Sequence, residues 1–152
     1  SSGAAGWLPG ARHVASPNHD ERPAGTIVDL VVLHAISLPP DEFGGPYVEA
    51  LFTNRLDPRA HPYFADLESL RVSAHFFIDR GGALTQFVPL DARAWHAGVS
   101  RWQGRERCND FSVGIELEGC DTRPFEEAQY ATLAGLLAEL FARLPALGRE
   151  RV

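Results

Sequence analysis

Lysine is missing from this 152-residue sequence, and all 14 of its basic residues are arginine. Cysteine is scarce: Cys108 and Cys120 stand alone, with neither a CxxC pair nor the spacing of a disulfide framework, so free thiols in a reducing compartment are expected. Positive charge is also short, since 20 acidic residues leave a net charge of −6 and a pI near 5.4. That balance excludes the basic footprint of a nucleic-acid or anionic-membrane binder. No apolar run approaches the roughly 18 residues of a membrane-spanning helix, and no cationic segment leads into an apolar one at the start. A soluble, cytoplasmic protein is the expectation. A serine hydrolase is disfavoured because no Gly-x-Ser-x-Gly occurs, and neither cysteine lies in a recognisable Cys/His arrangement.

What is present describes a packed globule: 45% hydrophobic residues and three tryptophans suffice for one core. The strongest element is Thr26-Ile-Val-Asp-Leu-Val-Val-Leu-His-Ala-Ile36, a run that predicts a central strand buried on both faces. It ends at His34, where α/β folds place their chemistry. Residues 1–25 read as an irregular arm pinned by Trp7, Leu8 and Val14, and 26–152 as the domain proper. A short helix is expected from Pro46. Val72–Arg80, Gly81-Gly82 and Ala83–Val88 predict a hairpin with a two-residue turn. Leu90–Arg107 reads as a long irregular stretch, and loops of that length are usually functional.

Phe111–Gly119 alternates cleanly, with Val113, Ile115 and Leu117 on one face and Ser112, Gly114, Glu116 and Glu118 on the other. The small Ser and Gly leave room for something beside the carboxylate. Thr122 is the expected N-cap of a helix whose docking face carries Tyr130, Leu133, Ala134, Leu137, Phe141 and Leu144, and Pro145 ends it.

Four stretches carry a family resemblance: His34-Ala-Ile-Ser-Leu-Pro-Pro-Asp-Glu-Phe-Gly-Gly45, Arg71-Val-Ser-Ala-His75, Arg93-Ala-Trp-His-Ala-Gly-Val-Ser100 and Gln103-Gly-Arg-Glu-Arg-Cys-Asn-Asp-Phe-Ser-Val-Gly-Ile-Glu-Leu-Glu-Gly119. They resemble the AmpD-type anhydro-N-acetylmuramyl-L-alanine amidases, over about Trp7 to Leu144. The resemblance implies an α/β fold, a central mixed β-sheet flanked by helices with a zinc cleft on one face. It implies hydrolysis of the amide between (anhydro-)N-acetylmuramic acid and L-alanine of peptidoglycan fragments during cytoplasmic cell-wall recycling. His34 then matches a zinc ligand, Glu116 the acidic residue beside the zinc-bound water, and Tyr63 an orienting or gating tyrosine. Trp95 and the backbone around Ala94 line the substrate cleft, while Arg71 and Arg107 match residues that hold stem-peptide carboxylates.

The resemblance also implies two further zinc ligands, a histidine and an aspartate, and an active-site lysine, all beyond the long helix. The 152 residues hold one of the three ligands, so the amidase domain is expected to lack its C-terminal metal-ligand segment. Ala35 stands where the family usually has asparagine, and Gly82 where its hairpin turn often has aspartate. The implied partners are anhydromuropeptides, with neither nucleic acid nor membrane, and a monomer is favoured. The alternative reading is a non-catalytic muropeptide-binding module or an inactive fragment of the same fold.

Overall fold

A computed structural model describes residues 6–67, 69–97, 100–120, 122–148, 150 and 152. Among them the chain forms β1 (Arg12–His13), β2 (His19–Glu21), β3 (Leu30–Ile36), α1 (Tyr47–Phe52), β4 (Phe76–Ile78), β5 (Leu84–Gln86), β6 (Ala92–Ala94), β7 (Arg101–Trp102), β8 (Arg105–Glu106), β9 (Ser112–Glu118) and α2 (Glu127–Arg143). Short 3-10 turns cover Pro62–Leu67 and Cys108–Phe111. The main sheet runs β1-β5-β4-β9-β3. Its β3–β9, β4–β9 and β1–β5 pairs are parallel and its β4–β5 pair is antiparallel, which makes it mixed.

The alternation along β9 decides how the layers stack. Val113, Ile115 and Leu117 join Val31, Phe76 and Ile78 under Leu133, Leu136 and Leu140 of α2, closing one core. On the opposite face Phe52, Phe64, Phe87 and Val88 form a second core beneath α1 and the Pro62–Leu67 turn. Glu116 and Glu118 belong to that second face, and both are buried. An α/β sheet covered on both sides follows, as the resemblance implies.

Several expectations are corrected. The strand bearing His34 is at the edge of the described sheet rather than its centre, which belongs to β9 and β4. It starts at Leu30, and Leu33 remains 41% exposed, so it is not buried on both faces. A run of apolar residues reports burial, but strand order depends on pairing with distant segments. The hairpin turn takes three residues, because Asp79 N–H donates to Ala83 O and Gly82 N–H donates back to Asp79 O. Gly82 there adopts φ +86°, the conformation such a turn needs. Its first strand is also shorter than expected, being confined to Phe76–Ile78.

The arm is less irregular than its composition suggests: β1 pairs with β5 and β2 with β6. Leu90–Arg107 likewise holds β6 and the β7–β8 hairpin, turned at Gln103 and Gly104 with φ of 49° and 76°. Gly98 and Val99 of that stretch lie outside the described residues. Helix α2 is capped by Glu126 and Gln129 in a reciprocal box rather than by Thr122. Its buried face is Gln129, Leu133, Leu136 and Leu140, rotated from the expected one, and Tyr130 is 53% exposed. Cys108 and Cys120 are free thiols, as expected.

Candidate active site

His34 and Glu116 are paired residues of the parallel strands β3 and β9. Paired residues of a parallel ladder project to the same side, so imidazole and carboxylate share one face near the carboxyl ends of their strands. A cleft of about 530 Å³ opens there, lined by Tyr63, Trp95, His96, Glu116 and Cys120 among others. His34 itself lines a second groove of about 450 Å³ along the outer edge of β3, with Leu33 and Trp102. His34 Nε2, on the groove side, lies 3.0 Å from Nδ1 of the cleft residue His96.

Glu116 is only 8% exposed. Burial pushes its pKa up to about 8, because a charged carboxylate loses its hydration in the cleft floor. Glu118, two residues on, has a structural task instead. Its carboxylate accepts from Gly44 N–H at 2.7 Å and Arg80 N–H at 3.0 Å, tying the loop after β3 and the hairpin turn to β9. Phe43 in that loop packs under the guanidinium groups of both Arg80 and Arg123.

Beneath the cleft lies a set of three histidines. His96 Nε2 is 3.1 Å from Ser112 Oγ, and its ring fills the space over Gly114, where any side chain would overlap it. The small residues of β9 thus make room for an imidazole from the long loop. Burial, reinforced by His75, His34 and Arg22, pushes the pKa of His96 down to about 2. His75 is fully buried: it accepts from Gly114 N–H on Nδ1 at 3.1 Å, and its Nε2 faces Ala92 O at 2.9 Å. That pairing makes it the neutral Nε2–H tautomer, and burial pushes its pKa down to about 3. Burial also lowers the pKa of His34.

Arg22 closes the network from behind. Its guanidinium donates to the carbonyls of Leu90, Asn109, Asp110 and Ser112, and burial pulls its pKa down to about 10. One arginine of the arm thus ties the β6 loop, the Cys108–Phe111 turn and the start of β9 together. The sequence gives no sign of Arg22, because nothing local marks a residue whose partners lie 68 to 90 positions away.

The other expected site residues divide. Tyr63, 43% exposed on its 3-10 turn, and Trp95 line the cleft with Glu116. Ala94 is fully buried in the second core, one residue behind Trp95. Arg71 is exposed beside cleft residues Leu70 and Val72, and Arg107 is exposed at φ 58°; neither lines the cleft. Among the described residues no three His, Cys, Asp or Glu side chains converge as a metal-binding group. The described residues thus do not by themselves make a three-ligand zinc site. No helix among the described residues is long and apolar enough to cross a membrane.

The chain is also similar in sequence and in fold to proteins of known activity. The 1,6-anhydro-N-acetylmuramyl-L-alanine amidase AmpD of Citrobacter freundii is 59% identical over 145 residues, covering 95% of this chain and 78% of that protein. A crystal structure of a selenomethionine derivative of AmpD superposes with a TM-score of 0.91 at 59% identity, covering 93% of this chain and 79% of the other. The Escherichia coli amidase AmiD, in complex with anhydro-N-acetylmuramic acid-L-Ala-D-γ-Glu-L-Lys, matches with a TM-score of 0.57 at 26% identity, over 87% of this chain and 50% of that one. The sequence profile of N-acetylmuramoyl-L-alanine amidases matches residues 24–151. The chain therefore belongs to the N-acetylmuramoyl-L-alanine amidase family, hydrolases of a carbon–nitrogen amide bond.

Proposed function

We propose that this cleft hydrolyses the amide joining anhydro-N-acetylmuramic acid to L-alanine of peptidoglycan fragments, in cytoplasmic cell-wall recycling. The observation that supports it best is the in-register pairing of His34 with Glu116, whose carboxyl lies in a cleft walled by Tyr63 and Trp95. In the reaction the C–N bond breaks, water supplies OH to the lactyl carbonyl carbon, and the alanine nitrogen leaves with a proton. Glu116 is the proton carrier. A carboxyl that titrates near 8 can both take a proton from water and hand it to the departing amine around neutral pH. Trp95 offers an indole face to the sugar, Tyr63 orients or gates, and Ala94 fixes the backbone behind Trp95. Arg71 and Arg107 are the proposed guanidinium forks for stem-peptide carboxylates.

Zinc is the proposed cofactor, with His34 as one ligand. It would supply Lewis-acid polarisation of water and carbonyl. A catalytic shell needs three protein ligands, and the described cluster falls short of that. The same shortfall favours a second reading, a muropeptide-binding module that keeps the cleft without turnover. Two measurements on one sample separate them: zinc content after dialysis, and mass-spectrometric detection of free stem peptide from an anhydromuropeptide. Zinc retention with peptide release supports the amidase. Muropeptide binding with neither zinc nor release would replace it with the binding module.

A further inference from the structure

His96 is held from four directions. Its backbone N–H and that of Ala97 both donate to Asn109 Oδ1, at 3.2 and 2.8 Å. Its Nε2 meets Ser112 Oγ at 3.1 Å, and Ser112 is fully buried at the start of β9. The absent side chain of Gly114 leaves the space its ring occupies. The remaining ring nitrogen, Nδ1, points to His34 Nε2 at 3.0 Å, with the two rings edge to face at 5.2 Å and 72°. Both nitrogens of His96 are thus committed, one to the scaffold and one to His34. A side chain fixed by this many independent contacts serves the group it touches.

We infer that His96 is a positioning residue that assigns the two nitrogens of His34: Nε2 is held by the scaffold, and Nδ1 is the one left for chemistry. The inference rests on the amidase reading of His34 given above. The mechanism is hydrogen-bond bookkeeping along Ser112 Oγ, His96 and His34. Neutral imidazole has one donor and one acceptor nitrogen, so the proton on one ring dictates the proton on the next. Of the two possible orders, only the one in which every hydrogen points toward Ser112 leaves Nδ1 of His34 bare: His34 Nε2–H donates to His96 Nδ1 and His96 Nε2–H donates to Ser112 Oγ. His34 and His96 then share a single proton across the 3.0 Å gap, and His34 cannot present Nε2 to the groove. Partners that fix ring orientation and tautomer in this manner typically change activity about 10–100-fold when removed.

Ser112 makes the inference testable without touching the cleft, because it is buried and is not among the cleft's lining residues. The experiment is imidazole ¹⁵N NMR on the full labelled chain, together with kcat and KM for anhydromuropeptide hydrolysis, for wild type, Ser112→Ala, His96→Gln and His34→Ala. The wild type should show one His34 tautomer and a through-hydrogen-bond nitrogen–nitrogen coupling between His34 and His96. Ser112→Ala should mix the tautomers of both rings and lower kcat about 10-fold or more with KM unchanged. His96→Gln should abolish the coupling. An averaged His34 tautomer without coupling in the wild type would overturn the inference. So would a Ser112→Ala chain with unaltered tautomers and kcat while His34→Ala is inactive. Full hydrolysis by His34→Ala would instead sink the amidase reading of His34, and the NMR arm separates that failure from this one.

Discussion

His34 and Glu116 are directly opposite each other on parallel neighbouring strands, yet only Glu116 looks into the main cleft; His34 reaches it through His96. The pairing fixes both side chains by backbone hydrogen bonds rather than by loops, which is how a fold holds reacting groups to within a fraction of an ångström.

Replacing the proton carrier while keeping its shape should separate chemistry from folding. Glu116→Gln is expected to lower kcat by about 100- to 10,000-fold with substrate binding retained. The same substitution should change the pH dependence of stability. The folded carboxyl holds its proton up to about 8, against 4.5 in the unfolded chain, so its contribution is complete below 4.5 and is lost as pH rises through 8. The slope is about 1.4 kcal/mol per pH unit in that window. Denaturant titrations at pH 5 and pH 8 should show this loss in the wild type and its absence in Glu116→Gln.

His75 acts with the opposite sign. Its folded pKa lies near 3, below the ordinary 6.5, so the unfolded chain binds the extra proton. Its contribution to stability is present above 6.5 and is lost as pH falls toward 3, again by about 1.4 kcal/mol per unit. His75→Asn should be less stable than wild type at neutral pH, with the difference narrowing as the solution is acidified. Urea midpoints from pH 7 to pH 4 measure it, and a constant gap would refute the buried neutral imidazole.

Arg22 should tolerate no substitute. Its fork satisfies four carbonyls from three segments, and a lysine ammonium cannot reproduce that planar geometry. Arg22→Lys is expected to destabilise by about 2–4 kcal/mol, the cost of leaving buried acceptors unmatched. The loss should be visible as a lower denaturation midpoint, and a change within error would mean that water replaces the fork.

Gly114→Ala tests the space above β9. A methyl group there collides with the His96 ring, and overpacking of this kind costs about 1–3 kcal/mol. Hydrolysis should fall further than stability does, because the displaced ring releases His34. Equal and small losses in both would show that His96 has room to move.

The residues explain which of these features could be read in advance. Strand β9 was legible because its period of two is local and its small residues announced a space; that the space holds His96 was not, since His96 comes from a loop with no periodicity. The edge position of β3 was hidden in the same way, because Val31 and Val32 look alike whether a strand has one neighbour or two. Helix α2 was found, but its cap went to Glu126 because Gln129 completes a reciprocal pair that Thr122 lacks. Its buried face turned with that start. His34 and Glu116 were visible as strand-end groups, whereas the arginines assigned to the peptide, Arg71 and Arg107, are not among the residues lining the cleft.

Release of stem peptide from an anhydromuropeptide by wild type and Glu116→Gln, followed by mass spectrometry with zinc present, tests the central claim most directly. The account predicts a free peptide beginning with L-alanine from the wild type and at least about 100-fold slower release from the variant. Equal release from both proteins would contradict it.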